Sequence, residues 1–167
     1  VPLVWGPWRA LKQIFKEAEE RGDDEVFGAL AARFDAELAA WTPGREVSRQ
    51  TLAYLSRRAW RALRHRAQQL PATYPDAACA VLRAYPERTN WNRTWISNHI
   101  FFHETGKYTR GRFTFWRAPK DLLKNRAWAE LWQRSPRPLF ELLETARSEQ
   151  VRRYAVEALK KDFRAAI

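Results

Sequence analysis

Residues 48–70 read SRQTLAYLSRRAWRALRHRAQQL, and this stretch decides the fold. It contains neither Pro nor Gly, and Ser48 at its head is a residue type that caps the first turn of a helix. Leu52, Leu55, Ala59, Leu63 and Leu70 recur at helical spacing and share one face. Tyr54, Arg57, Arg61, Arg64 and Gln68 fall opposite them, flanked by Arg58 and His65. The pattern predicts a long helix with a core side and a cationic side. Between Val47 and Pro75 there is no Asp or Glu, so these arginines have no carboxylate partner nearby in sequence.

The same periodicity continues outward. A helix is predicted from about Pro7 to Arg21, with Leu11, Ile14, Phe15 and Ala18 on one face and Gly22 as its stop. Asp23 or Asp24 caps a second, running to about Trp41 with Val26, Phe27, Leu30, Phe34 and Leu38 inward. Beyond Pro71 and Pro75 the spacing predicts helices from about Asp76 to Tyr85, and from Arg93 to Glu104 with Asn90 or Asn92 as cap. Three more are expected near 120–133, 138–146 and from a Ser148 cap to about Ala165. Residues 105–120 read TGKYTRGRFTFWRAPK, where aromatic and β-branched residues surround Gly111; this is the one stretch read as an irregular loop or a small hairpin. The fold class expected is all-α, in antiparallel helix pairs, as a single domain over 1–167 excised from a longer protein.

The charge is uneven. The formal charge is +11, but residues 1–47 hold 6 Lys/Arg against 9 Asp/Glu, whereas residues 48–134 hold 17 against 5. A positive field confined to the middle of a chain points to a polyanionic partner there, although an Arg-rich and Ala-rich composition gives the same excess with no partner at all. Hydrophobic residues at 46% and nine Trp argue for a packed core. With Cys79 as the single cysteine there is no intramolecular disulfide and no cysteine-based zinc site, and a cytoplasmic setting is expected. No apolar run reaches the roughly 20 residues of a membrane span.

Residues 151–159 read VRRYAVEAL and follow a short predicted helix. This looks like the V-R-x-x-A-x-x-A-L core of a HEAT second helix, and helix pairs recur about every 40 residues, which is the period of that repeat class. The segments YLSRRAWR at 54–61 and LWQRSP at 131–136 also resemble, more faintly, helical regions of large bacterial HEAT and WGR-domain proteins. The resemblance implies a short right-handed α-solenoid. It also implies that Val151, Ala155 and Leu159 pack inward while Arg152 binds the adjacent inter-helix turn. It carries over no catalytic residue.

His99 and His103 share a helix face at i, i+4, but Ile100 follows the first His where a zinc protease needs Glu, so packed or capping histidines are expected and no metal or other cofactor. Cys79 lies between Ala78 and Ala80, the setting of an inert buried thiol. No Gly-rich phosphate loop or nucleophile triad is present. What remains is a mixture of cations and aromatic rings. The candidate binding residues are Arg57, Arg58, Arg61, Arg64, Lys107, Arg110, Arg112, Trp116, Arg117 and Lys120. Guanidinium groups pair with phosphates and aromatic rings stack on unpaired bases. The expectation is a non-enzymatic scaffold contacting the phosphate backbone of DNA or RNA and not a membrane. The alternative is a module for an acidic protein segment. A lesser alternative, a HEAT-like DNA glycosylase, needs an Asp in a basic groove, and only Asp76 and Asp121 lie in the basic middle.

Overall fold

The computed structural model describes residues 3–103 and 120–166, and within them every regular element is helical. The order is α1 (Trp5–Arg21), α2 (Asp24–Ala39), α3 (Arg49–Gln69), α4 (Tyr74–Ala84), α5 (Ile96–Phe102), α6 (Ala129–Trp132), α7 (Arg137–Thr145) and α8 (Glu149–Asp162), with 3₁₀ turns at Pro71–Thr73 and Arg164–Ala166. No helix among the described residues is long and apolar enough to cross a membrane. The expected insert around 105–120 lies outside the described residues, apart from Lys120.

Local chemistry sets most of these boundaries. Gly22 takes the left-handed conformation, φ 70°, that closes α1, and Asp23 then accepts from the Val26 amide to open α2. Ser48 accepts from the Thr51 amide at 3.2 Å and opens α3. Pro75 sits in the first turn of α4, where a missing N–H costs nothing.

The centre of the molecule is α2, which packs on α1, α3, α4 and α5. Its closest neighbour is α4. A Cβ added at Gly28 would lie 2.5 Å from the backbone carbon of Ala80 and 2.6 Å from its oxygen, so only glycine permits this approach. The core is strongly aromatic. Phe15 stacks on Phe27, with ring centroids 5.3 Å apart, and meets Phe34 edge-on, while Tyr74, Trp132 and Tyr154 form a second cluster under α4, α6 and α8.

Three helices differ from the sequence reading; the last, α8, opens after Ser148 with no side-chain capping bond and ends at Asp162. The helix expected near 120–133 shortens to α6. Before it, the Asp121 carboxylate accepts from the Leu123 and Lys124 amides at 2.9 and 3.0 Å, and this local bonding diverts the chain into turns. The helix expected from Arg93 begins at Ile96, and neither Asn90 nor Asn92 caps it. Its N-terminal amides are taken instead by Asp35, which reaches across from α2.

Candidate functional site

The arginines of α3 separate into two sets according to what faces them. Arg58 and Arg66 lean toward the first two helices: Arg58 Nε donates to Glu19 at 2.5 Å and Arg66 to Asp24 at 2.7 Å, and all four side chains are partly buried. Arg57, Arg61 and Arg64 are exposed on the other flank, where no carboxylate lies within ion-pair distance among the described residues. They line one cleft of about 460 Å³ between α3 and α5. Arg61 also sits 6.0 Å from the centroid of the exposed Tyr54 ring. Three positive charges thus fall along two turns of one helix with no carboxylate at ion-pair distance among the described residues, and Arg61 also lines the neighbouring pocket that Glu19 and Glu20 share with Arg58.

The floor of the cleft is aromatic and comes from Trp60, Trp95, His99 and His103. These rings tile against each other. Trp60 lies 4.7 Å from His99 and 5.4 Å from His103, and Trp95 lies 4.3 Å from His99. His99 Nδ1 is 2.9 Å from the Trp95 carbonyl oxygen. A carbonyl only accepts, so Nδ1 carries the proton. Burial pushes the His99 pKa down to about 4, which keeps the ring uncharged at neutral pH. Trp60, Trp95 and His99 therefore carry no charge at neutral pH, while the rim is cationic. Trp128 supports it from behind, stacked on His103 at 5.5 Å and 5.6 Å from Trp60. Trp128 holds φ 49°, a left-handed conformation costing a bulky residue roughly 1–2 kcal/mol, and packing against Tyr74, Trp60 and His103 keeps it there.

Asp35 positions α5 and hence the far wall. It is fully buried and accepts from the Trp95 and Ile96 amides at 2.9 Å each and from the Tyr85 hydroxyl at 2.5 Å. Burial raises its pKa, and the hydrogen bonds donated to it pull it part of the way back. One carboxylate thus ties α2, the end of α4 and the start of α5 together.

The structure brings Arg57, Arg61 and Arg64 into one site and sends Arg58 to Glu19. Lys120 is exposed but does not line the cleft. Lys107, Arg110, Arg112, Trp116 and Arg117 lie outside the described residues. Trp60, Trp95 and the two histidines were not among the candidate binding residues. Trp60 lies at the border of the α3 core stripe, and only the placement of α5 makes it a cleft wall. The His99 and His103 rings are 6.0 Å apart, and among the described residues no third donor joins them into a metal-binding group. Cys79 is a free, buried thiol that donates to the Pro138 carbonyl at 3.4 Å, and burial raises its pKa.

The described fold and site define an all-α protein with a cationic, aromatic-floored cleft. Compared with known proteins, the chain matches no family model, no curated protein and no solved structure.

Proposed function

We propose that this chain is a non-enzymatic binding scaffold whose α3 face grips nucleic-acid phosphates. The observation that carries this reading is the row Arg57, Arg61 and Arg64: exposed, pointing to one cleft, and without a carboxylate partner among the described residues. Cations left unpaired on a well-packed helix suit an anion from outside, and guanidinium offers the bidentate geometry that phosphate accepts. A HEAT-like solenoid is the architecture we assign. It is supported by the α7–α8 pair, where Val151, Ala155, Ala158 and Leu159 are buried and Arg152 Nη1 donates to the carbonyls of Ala146 and Arg147 at 2.8 Å each, across the inter-helix turn. A cytoplasmic setting belongs to the same reading, with Cys79 remaining a thiol.

Titrating labelled duplex DNA, single-stranded DNA and structured RNA at several salt concentrations tests it. Binding whose logarithm falls steeply with log salt is expected. Changing Arg57, Arg61 and Arg64 together to Ala should lower the slope by roughly two to three. Absence of binding to all three at low salt overturns the reading.

A second reading, an acidic protein segment as partner, is favoured by a different surface. A groove of about 670 Å³ is lined by Leu11, Leu30, Ala36 and Pro86 with Arg33, Arg45, Arg88 and Arg147; Glu37 in the same lining pairs with Arg33 and Arg45 and leaves Arg88 and Arg147 as its cations with no carboxylate at ion-pair distance among the described residues. Co-purification of an acidic partner that is lost on changing Arg88 and Arg147 to Glu, with no nucleic-acid affinity, is the outcome that selects it.

A further inference from the structure

The groove of about 670 Å³ beside α2 shares no residue with the α3–α5 cleft. Ala29, Arg33, Ala36 and Ala40 are spaced four, three and four residues apart, so they fall on one side of α2 and its C-terminal end. Unlike the aromatic wall of the cleft, this lining is open. Ala29, Ala40 and Pro86 are exposed, and Leu11, Leu30 and Ala36 are only partly buried. Alanine along a helix side leaves depressions that accept the larger apolar side chains of another helix, as ridges enter grooves in helix packing.

The charges of the groove say more about what fits it. Arg33 and Arg45 share Glu37, at 4.0 and 2.8 Å. Arg88 and Arg147 are exposed and have no carboxylate at ion-pair distance among the described residues. An occupant that complements both parts is apolar toward α2 and acidic toward Arg88 and Arg147. A nucleic-acid duplex is charged along its whole outer surface and gains nothing from the apolar lining.

The backbone decides the conformation of that occupant. Every regular element of the described residues is helical, so α2 offers no sheet edge to pair with an extended segment. An extended segment would set its own N–H and C=O groups against alanine and leucine side chains without partners, which is costly. A helix arrives with these groups already bonded.

We infer that this groove docks an amphipathic helix of a partner protein, which lays an apolar stripe along the Ala29–Ala40 side of α2 and sets acidic residues against Arg88 and Arg147. The inference rests on the second reading above, the acidic partner segment, and gives that segment a conformation. It is independent of the phosphate reading, because the two surfaces have no residue in common.

A display library of random peptides of about 16 residues, roughly 24 Å long as a helix, is selected on the unaltered chain. The recovered sequences are expected to carry apolar residues at i, i+3, i+4 and i+7, flanked by Asp or Glu. Synthesised with fluorescein and titrated by anisotropy, they are expected to bind about tenfold or more weakly to Ala36→Arg, which places a charge in the apolar lining. A similar loss is expected for Arg88→Glu with Arg147→Glu, which repels the acidic residues. Arg is nearly as good a helix former as Ala, and Arg88 and Arg147 are exposed, so both variants are expected to keep the helical circular dichroism of the unaltered chain. Acidic peptides without helical spacing that still need Arg88 and Arg147 overturn the helix and leave the acidic-partner reading standing. Recovery of no peptide, or of peptides indifferent to both variants, overturns the docking site and that reading together. A dimer of the unaltered chain in sedimentation that Ala36→Arg dissociates overturns the inference in favour of a second copy on this groove.

Discussion

On one flank of α3, Arg58 and Arg66 lie against Glu19 and Asp24; on the other, Arg57, Arg61 and Arg64 face α5, which offers them Trp and His rings and no acid. All five belong to one helix and one residue type, yet the first two pair with acids of the neighbouring helices and the last three have no carboxylate at ion-pair distance among the described residues. The difference teaches that a cationic stripe in sequence is two surfaces in three dimensions. Where the acidic first helices pack, charge becomes cross-linking; where α5 packs, it stays available. Part of the excess of Lys and Arg in the middle of the chain is matched by acids of residues 1–47, which pair with Arg58, Arg66 and Arg83, and three of the other arginines line the α3–α5 cleft.

The contrast can be broken most severely at Asp35, which positions α5 without touching the first flank. Asp35→Ala leaves the Trp95 and Ile96 amides and the Tyr85 hydroxyl without their acceptor, and a loss of about 3–5 kcal/mol is expected in denaturant unfolding. Hydrogen exchange should rise in α5 before it rises in α1, and uniform protection would mean that the two flanks are not separately supported.

Acid acts on the cleft flank through His99. Its pKa is pushed down to about 4 in the folded chain, below the ordinary histidine value near 6.5 of an unfolded one. Between these values the unfolded chain binds the additional proton, so stability falls as pH is lowered through that window, by up to about 3 kcal/mol. Asp35 opposes this, because its raised pKa lets the folded chain hold the proton more tightly and costs stability as pH rises above the usual carboxylate range. His99→Gln should flatten the fall between about pH 6.5 and 4, and an unchanged profile would show that His99 is not buried as described.

Binding separates the flanks directly. Changing Arg57, Arg61 and Arg64 to Ala should weaken nucleic-acid binding on the order of a hundredfold at low salt, about 2.7 kcal/mol, with the melting temperature unchanged. The complementary change, Arg58 and Arg66 to Ala, should leave affinity within about twofold and cost about 1 kcal/mol of stability, since partly exposed pairs contribute little. If both sets affect affinity equally, the two flanks are one surface and the comparison fails.

The smallest expected effect on binding comes from the frame that carries both flanks. Gly28→Ala pushes a methyl group onto the Ala80 backbone and should destabilise by about 1–3 kcal/mol without changing salt dependence, because it touches neither arginine set. Its magnitude overlaps those above, but its effect on binding should be nil.

Much of the fold is legible in the residues themselves. Gly22, Asp23 and Ser48 mark helix ends by local chemistry, and the Leu52–Leu63 stripe fixes the inner side of α3, because both depend only on residues a few positions apart. The start of α5 is not legible, because its cap is Asp35, 61 residues before Ile96. The shortening of the helix near 120–133 has a local cause in Asp121, but a side-chain turn competes with helical periodicity too closely for spacing alone to decide.

The sequence by itself determined the helical class, the amphipathic division of α3 and the location of the positive excess, since periodicity, caps and charge are properties of neighbouring residues. Only the tertiary structure decided which arginines are neutralised, that Trp60 and His103 meet across α3 and α5, and that a buried carboxylate holds that wall in place. Those outcomes depend on which distant segments come into contact, and burial, desolvation and ion pairing act only once they do.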